Sequence, residues 1–231
     1  MAVLVLIPYR ARARGGSDER ARNADVVWSW WHHRGLRPII GDDPNPATFN
    51  RGRALNAAVV TAQPKPGDVL VLSDADLIPD VAALDRAVGM VALGHGGMVV
   101  PFTEVRYLSE RASIEVHDAA GELPDHPELD GVWDRLSTGG LNVLSFDRFA
   151  AVDGFDPRFT GWGFEDAAFD AACSTLGQAT VHLPGPIHHL WHPPARDPNH
   201  PTYEPGLALC RRYETAAGDP EAIRALIEER A

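Results

Sequence analysis

The sequence predicts a single α/β domain in which a mostly parallel central sheet is flanked by helices. Residues 2–7 are continuously apolar and end at Pro8, which is typical of a strand buried on both faces inside a parallel sheet. From there to Val91, strand-like and helix-like segments alternate as in a doubly wound sheet. With 231 residues, 45% hydrophobic and 23% charged, the chain can bury one substantial core.

The first half contains three predicted strands and three predicted helices. Ser17 is a good N-cap for the first helix, and Gly35 is a typical stop. A second helix begins near Asn50, and Pro79 is placed in the first turn of a third. The predicted strands cover residues 2–7, 38–40 and 68–72.

The second half is less regular. Residues 103–134 lack clear periodicity and carry glycines and prolines among acids, which predicts a long mobile surface loop. Beyond residue 134 the sequence again shows the patterns of strands and helices. The predicted elements are a strand at residues 141–146, a helix at 166–176, a strand at 180–183 and a helical tail from Tyr203 with a break near Gly218.

The net charge of −11 argues against broad nucleic-acid binding, which needs clustered basic side chains. Cys173 and Cys210 are too isolated for a disulfide framework or a thiolate zinc site, and no apolar run is long enough to span a membrane. A cytoplasmic protein without a membrane span is therefore expected. A local anion site, or merely a solvated helix face, is indicated by five arginines near the N-terminus: Arg10, Arg12, Arg14, Arg20 and Arg22.

Two acids, Asp74 and Asp76, directly follow the strand predicted at residues 68–72. In open α/β sheets, ligands bind outside the carboxyl ends of the strands. Two carboxylates spaced one residue apart at such an end can hold a hard divalent cation and reach a ribose, and the cation in turn neutralises a diphosphate. The alternative is that these acids cap the helix that begins around Pro79.

A second pair of acids, Glu165 and Asp166, stands at the start of a predicted helix and follows a tryptophan between two glycines. Trp162 can stack on a sugar ring while a carboxylate beside it takes a proton from a hydroxyl. The alternative is ordinary acidic charge at a helix N-terminus.

Three histidines, His188, His189 and His192, lie close together near residue 190. Imidazoles combined with a carboxylate suit manganese or a similar ion. The alternative is histidines that make ordinary hydrogen bonds, and the sequence leaves open which of the three would bind a metal.

Taken in order, these segments resemble motifs of the β-1,4-galactosyltransferase family and its relatives, the catalytic domains of polypeptide N-acetylgalactosaminyltransferases and bacterial chondroitin polymerase. The resemblance extends over most of the chain. In the family's terms, the motifs are Pro-Phe-Arg-x-Arg at residues 7–12, Phe-Asn-Arg at 49–56, Asp-x-Asp at 73–79, Gly-Gly to Asn-Gly-Phe at 138–155, and Trp-Gly-Gly-Glu-Asp at 162–166.

The resemblance implies a GT-A fold that is Rossmann-like, and a metal-dependent glycosyltransferase. Such an enzyme would use Mn²⁺ or Mg²⁺ to move a hexose or N-acetylhexosamine from a nucleotide-diphosphate sugar, expected to be UDP-linked, to a hydroxyl of a glycan, glycoconjugate or protein. The catalytic domain would cover residues 1–200, with a nucleotide-sugar half at about 1–100 and an acceptor and metal half at about 101–200. Residues 201–231 would form a helical extension.

The same resemblance implies roles for individual residues. Asp166 would be the catalytic base, and Glu165 would hold the acceptor or donor sugar. Asp76 would bind the metal together with His189 or His192. The donor nucleotide and its sugar would be bound by Pro8, Tyr9, Arg10, Arg12, Arg51, Asp74, Gly140 and Trp162, with Asp74 facing the ribose. Apart from the resemblance, the loop predicted at residues 103–134 is expected to close over bound donor and exclude water.

This chain also departs from the family pattern. Ala167 and Ala168 replace the family's third acid, and Phe164 replaces the second glycine of its last motif, so the acceptor pocket is expected to differ. An inverting transferase is the main prediction. A retaining transferase and a non-catalytic carbohydrate-binding module remain alternatives, whereas a nucleotidyltransferase would leave the tryptophan and acid motif without a task.

Overall fold

The computed structural model describes residues 1–10, 19–43, 49–134, 136–161, 163–193 and 199–230. The strands in this part of the chain are β1 (Val3–Pro8), β2 (Ile39–Gly41), β3 (Val69–Ser73), β4 (Leu77–Pro79), β5 (Gly97–Val100), β6 (Glu104–Leu108), β7 (Leu129–Trp133), β8 (Leu141–Ser145), β9 (Gln178–His182) and β10 (Pro186–His189). The helices are α1 (Glu19–His33), α2 (Arg51–Ala62), α3 (Val81–Ala92), α4 (Glu110–Asp118), α5 (Phe146–Ala151), α6 (Glu165–Thr175), α7 (Tyr203–Ala216) and α8 (Pro220–Glu228).

Six strands form the central sheet, in the order β2-β1-β3-β8-β5-β9. β1 runs parallel to β2 and β3, and β5 runs parallel to β9, whereas β8 is antiparallel to both of its neighbours. Every residue of β3 is buried, as expected for a strand covered on both faces. The predicted α/β architecture with a mostly parallel central sheet and flanking helices is confirmed.

A second sheet of four strands, in the order β4-β10-β6-β7, adjoins the central one. β10 is antiparallel to β4 and parallel to β6. The pairing of Leu77 with His189 brings the end of β10 next to the turn that follows β3. This sheet therefore positions histidines beside the Asp-x-Asp segment.

The prediction of a long loop at residues 103–134 was wrong. This stretch contains β6, α4 and β7, and Ser109 caps α4 by accepting a hydrogen bond from the backbone N–H of Ala112. β6 is stabilised by pairing with β10, which lies about eighty residues further along the chain. Because that stabilisation is non-local, the local pattern of residues shows little sign of it.

The boundaries of several predicted elements shift by a few residues. The first three strands each begin and end one residue later than predicted. Pro79 ends β4 and does not lie in the first turn of a helix, because Asp80 caps α3 with its side chain and Val81 is the first helical residue. The predicted break in the helical tail is real, since α7 and α8 are separated around Gly218.

The two C-terminal helices are attached to the rest of the fold by a buried polar network. Asp156 accepts hydrogen bonds from the hydroxyl of Tyr213 at 2.9 Å and from Arg158 at 2.7 Å. Arg230, just beyond α8, donates to the carbonyl oxygens of Val152 and Gly154 at 2.9 and 3.1 Å. Residues 203–230 therefore hold the turn before α6, although a domain boundary at residue 200 stays a prediction.

None of the helices described above is both long and apolar enough to cross a lipid bilayer.

The network predicts a large stability loss for Asp156→Ala. Arg230, whose side chain is only 5% exposed, would lose the carboxylate that lies 3.6 Å from its Nε. Leaving a buried charge without its partner should lower the free energy of unfolding by about 3–5 kcal/mol in urea denaturation. Arg212→Gln, which breaks an exposed ion pair with Glu229, serves as the control and should cost at most about 1 kcal/mol. Similar losses for both variants would contradict the prediction.

Candidate functional site

Two groups of charged side chains meet where β3 ends. The arginine cluster consists of Arg51, Asp74, Glu165 and Asp166. The histidine cluster consists of Asp76, His189 and His192. The turn from Asp74 to Asp76 belongs to both clusters.

The Asp-x-Asp turn is held by backbone hydrogen bonds on both sides. The N–H of Asp74 donates to the carbonyl of Gly140 at 2.8 Å, and the N–H of Leu190 donates to the carbonyl of Asp76 at 2.8 Å. The residue that caps the following helix is Asp80. The alternative that Asp74 and Asp76 serve as helix caps is therefore wrong.

Arg51 lies at the centre of the arginine cluster. Its Nε donates to Asp74 at 2.6 Å and its Nη1 donates to Asp166 at 2.7 Å, while Nη1 lies 3.7 Å from a Glu165 oxygen. Nη2 is buried and has no hydrogen-bond partner among the described residues. A donor in that state is available to an acceptor atom of a ligand.

Asn50 sets the position of Arg51. It caps α2 by accepting from the N–H of Arg53 at 2.8 Å, and its amide donates to the carbonyl of Pro157 at 3.0 Å. Arg51 is the first residue of the helix that this cap starts. The loop that leads to α6 and the start of α2 are thereby joined through one side chain.

Burial sets the protonation of the acids in the arginine cluster. Burial raises the pKa of Asp166 to about 7; attraction to Arg51 opposes this rise, and repulsion from Glu165 and Asp74 adds to it. Burial also raises the pKa of Glu165, and attraction to Arg51 again opposes the rise. A carboxylate that exchanges its proton near neutral pH suits general base catalysis.

The histidine cluster offers one oxygen and two nitrogen ligands to a cation. The Nε2 atom of His192 lies 3.1 Å from Asp76 Oδ2, and that of His189 lies 3.9 Å from Asp76 Oδ1. Ligand atoms of all three residues lie within 4.8 Å of one another. Burial alone would raise the pKa of Asp76, but the two histidines outweigh it and lower the pKa to about 2. This mixed donor set fits manganese or a similar ion.

His188 does not join this cluster. Neighbouring strand residues face opposite sides of a sheet, and His188 lines a separate cavity of about 490 Å³ with Trp30 and Arg34. Of the three histidines, His189 and His192 are therefore the two that lie beside Asp76, while metal binding by them stays a prediction.

Two glycines bring the backbone close to the acids. A Cβ atom at Gly139 would lie 2.8 Å from a carboxylate oxygen of Asp166. Gly140 has a positive φ of 97°, and a Cβ there would lie 2.8 Å from the Leu77 side chain. Gly140 thus presents its carbonyl to Asp74, while the binding of a ligand by its backbone stays a prediction.

Phe164 has a left-handed backbone, with φ at 77°, and stands immediately before α6. This conformation favours glycine, which is the residue at this position in the motif of the β-1,4-galactosyltransferase family that the sequence resembles. The ring of Phe164 packs edge-on against Tyr203 of α7, with 5.1 Å between centroids. This contact offsets the strain, which costs roughly 1–2 kcal/mol for a residue with a side chain.

The predicted nucleotide-binding residues at the N-terminus lie beside α2, the helix that begins with Arg51. Pro8 ends β1 and is buried, and the N–H of Tyr9 donates to the carbonyl of Gly41 at 2.9 Å. Arg10 donates to Asp42 at 2.9 Å, and its guanidinium lies 5.5 Å from the ring centre of Phe49.

Two other predicted site residues, Arg12 and Trp162, lie outside the described residues.

Sequence reasoning assigned no role at this site to two residues that lie beside the histidine cluster. Arg20 Nη2 lies 3.0 Å from His192 Nδ1, and the ring of Tyr107 lies 5.0 Å from that of His189. Arg20 was one of the arginines that indicated an anion site. Tyr107 lay in the supposed loop, where no local signal pointed to it.

Comparison with known proteins supports this reading of the fold. The sequence profile described as the N-terminal domain of galactosyltransferase matches residues 132–192. The catalytic domain of Drosophila β1,4-galactosyltransferase 7 in complex with xylobiose is 17% identical, with a TM-score of 0.50, and the match covers 78% of this chain and 64% of that chain. GalNAc-T7 with UDP, GalNAc and Mn²⁺ is 14% identical, with a TM-score of 0.53, covering 99% of this chain and 54% of that chain. The chain has the GT-A glycosyltransferase fold.

A second structure of the Drosophila enzyme, a mutant with manganese, UDP-Gal and xylobiose, is 16% identical with a TM-score of 0.50, covering 79% of this chain and 65% of that chain. This chain thus spans slightly less than two thirds of the length of the Drosophila chains that it matches. No curated protein sequence matches the present chain significantly. The predicted resemblance to galactosyltransferases is confirmed, and the sequence profile locates it on the segment from β7 to the histidine cluster.

Arg51→Gln should destabilise the GT-A domain in a pH-dependent way. Without the guanidinium, the pKa values of Glu165 and Asp166 rise further above those of the unfolded chain. The unfolded-state pKa values are the same in both proteins and cancel, so the pH-dependent part of the destabilisation begins near the folded wild-type values, about 7 for Asp166, and grows above them. We expect a loss of roughly 3–5 kcal/mol at pH 8 and a clearly smaller loss at pH 5 in urea denaturation.

Arg53→Gln, two residues further along α2, is the matched control and should change stability by less than about 1 kcal/mol at either pH. An Arg51→Gln loss that is the same at pH 5 and pH 8 would show that Arg51 does not act by offsetting these carboxylates.

Proposed function

We propose that this chain is a metal-dependent glycosyltransferase that moves a hexose or N-acetylhexosamine from a UDP-sugar to a hydroxyl of a glycan, glycoconjugate or protein, with inversion. One observation carries the proposal. Arg51 joins Asp74 of the Asp-x-Asp turn to Asp166, a carboxylate whose pKa burial raises to about 7, beside a cluster that fits a divalent cation. In this proposal, the donor site and the base lie next to each other.

Asp76, His189 and His192 are the residues that would hold the cation. When bound, a divalent cation neutralises the diphosphate and stabilises the charge on the departing nucleotide. The structures of the Drosophila mutant and of GalNAc-T7 contain manganese with UDP-Gal or with UDP and GalNAc, which supports the same combination here.

Asp166 acts as the base in this proposal. One carboxylate oxygen of Asp166 takes the proton of the acceptor hydroxyl while the hydroxyl oxygen attacks the anomeric carbon. The bond between that carbon and the nucleotide diphosphate breaks on the opposite face. Arg51 holds Asp74 and Glu165 in place. Its Nη2 atom, which has no hydrogen-bond partner among the described residues, can donate to an oxygen of the sugar nucleotide. Glu165, in the same helical turn, is placed to hold a sugar hydroxyl.

Two alternatives make different demands on the site. A retaining transferase would not need Asp166 as a base, and the anomeric configuration of the product, measured by NMR, separates it from an inverting one. A carbohydrate-binding module would bind saccharides without nucleotide or metal. The raised pKa of Asp166 favours a base and hence the inverting transferase. The histidine cluster favours either transferase over a carbohydrate-binding module, which needs no cation.

Asp166→Asn should lower turnover about 10²- to 10⁴-fold, because a positioned base contributes that much to the rate. UDP binding in the presence of Mn²⁺ should stay nearly unchanged, as measured by calorimetry. Asp170→Asn, one helical turn further along α6, is the matched control. Wild-type turnover in Asp166→Asn would remove this residue from the role of base.

The same base predicts the pH profile. Since Asp166 must be deprotonated to accept a proton, kcat/KM of the wild type should fall about tenfold per pH unit below an apparent pKa of about 7. Asp166→Asn should lack this limb.

Donor binding can be tested by thermal unfolding with UDP-, GDP- and dTDP-sugars. A ligand that binds only the folded state raises the Tm, and we expect the largest rise with a UDP-sugar and Mn²⁺ together. Asp76→Asn should abolish the metal-dependent part. No shift with any donor, or an equal shift in Asp76→Asn, would count against the proposed donor and metal site.

A further inference from the structure

The backbone immediately before His192 is bound by side chains from two helices. β10 ends at His189, so the hydrogen-bond ladders of the second sheet end before Trp191. The N–H of Trp191 donates instead to the hydroxyl of Ser113 in α4 at 2.7 Å, and its carbonyl oxygen accepts from the amide of Asn23 in α1 at 3.1 Å. Two helices therefore replace a strand neighbour at this residue.

A third residue, His117, fixes the orientation of the Asn23 amide. A carbonyl oxygen can only accept, so the Nδ2 atom of Asn23 must face Trp191 and its Oδ1 atom must face the other side. His117 Nε2 lies 2.7 Å from that Oδ1 atom and must carry the proton of this hydrogen bond. His117 follows Ser113 by one helical turn, so both lie on one face of α4. We call Asn23, Ser113 and His117 the clamp.

The burial of Asn23 shows what the clamp costs the fold. Asn23 is fully buried and shares one face of α1 with the buried residues Val26 and Trp30. That face would ordinarily carry an apolar side chain. A buried amide lowers stability unless it is hydrogen-bonded, and here both of its ends are used. The bonds to Trp191 and His117 therefore offset the cost of a polar residue at this position.

The clamp acts on one of the two histidines in the histidine cluster. His192 directly follows Trp191, and its Nε2 lies 3.1 Å from Asp76 Oδ2. A shift of the Trp191 backbone would therefore move this ring relative to Asp76. His189, by contrast, lies within β10 and is paired with both neighbouring strands. Of the two histidines, His192 is the one whose backbone the clamp positions.

We propose that the clamp positions His192 for cation binding. By fixing the backbone at Trp191, Asn23 and Ser113 hold the imidazole where it can bind a divalent cation together with Asp76. Groups that orient a metal ligand without touching the metal commonly change metal affinity about 10- to 100-fold. This inference rests on the proposed function, because it needs a cation at the histidine cluster. It also gives α4 a role at the site.

The clamp also bears on which cation is bound. An imidazole nitrogen is a ligand for transition-metal ions such as Mn²⁺, whereas Mg²⁺ is bound mainly by oxygen atoms and keeps several waters. A displaced His192 would leave Asp76 available to Mg²⁺ but would remove one ligand from Mn²⁺. Loosening the clamp should therefore lower the affinity for Mn²⁺ more than the affinity for Mg²⁺. A general loss of folded structure would lower both.

The test uses Asn23→Leu, which keeps the size of the side chain but removes the amide, and Ser113→Ala, which removes only the hydroxyl. Asn56→Leu is the matched control. Asn56 of α2 binds both backbone polar groups of Phe155, at 2.9 and 3.0 Å, in the segment that precedes α6. Mn²⁺ binding is measured by electron paramagnetic resonance, and Mg²⁺ binding by competition with Mn²⁺. Thermal unfolding checks that each variant is folded.

We expect Asn23→Leu and Ser113→Ala to weaken Mn²⁺ binding about 10-fold and Mg²⁺ binding clearly less. His192→Ala should weaken Mn²⁺ binding by itself. In the His192→Ala background, neither clamp substitution should weaken it further, because the ligand that the clamp positions is gone. Asn56→Leu should bind both ions like the wild type. If Asn23→Leu does not fold, Ser113→Ala alone decides.

Three results would contradict the proposal in different ways. Wild-type Mn²⁺ affinity in the folded clamp variants, together with a loss in His192→Ala, would refute the clamp and leave the proposed cation site intact. Equal losses of Mn²⁺ and Mg²⁺ affinity, or a further loss in the His192→Ala background, would make the clamp a support of the fold alone. A wild-type protein that does not bind Mn²⁺ would refute the proposed function, and the role of the clamp with it.

Discussion

The pairing of Arg51 with three carboxylates, one buried and two partly buried, is the interaction on which the rest of the site depends. The guanidinium contacts Asp74 and Asp166 directly and lies near Glu165, which are contributed by the end of β3 and the start of α6. Attraction to the guanidinium limits the rise in pKa that burial causes in all three carboxyls. The carboxyl edge of the parallel strands brings these parts together, and one side chain then balances their charge.

The histidine cluster depends on the second sheet in a comparable way. β10 joins β4 to β6, and this places His189 and the segment after it opposite the Asp-x-Asp turn. One acid of that turn faces Arg51, and the other faces the histidines. The Asp-x-Asp turn therefore connects the two clusters. The arginine cluster contains its own positive charge, whereas the histidine cluster has ligands that suit an added cation.

The parts of the fold that could be predicted from the sequence are those with local causes. A buried strand such as β3 is a continuous apolar run, and the motifs around Asp74 and Glu165 are contiguous, so they were found. The strand pairing of β6 with β10 and the contact of Arg51 with Asp166 join residues about 80 and 115 positions apart. No local pattern of residues records such contacts, and the same holds for Arg20 and His192.

Phe164 connects the acid motif to a helix that lies about forty residues further along the chain. Its left-handed backbone would be easiest for glycine, yet its ring packs on Tyr203 of α7 and lies close to Gly206, where an added Cβ would be 3.2 Å from the ring. A side chain at position 164 is thus tolerated together with this particular α7. Glycine at position 164 would remove the ring contact with Tyr203, and a side chain at position 206 would press on the Phe164 ring, so the acid motif and α7 are coupled through one contact.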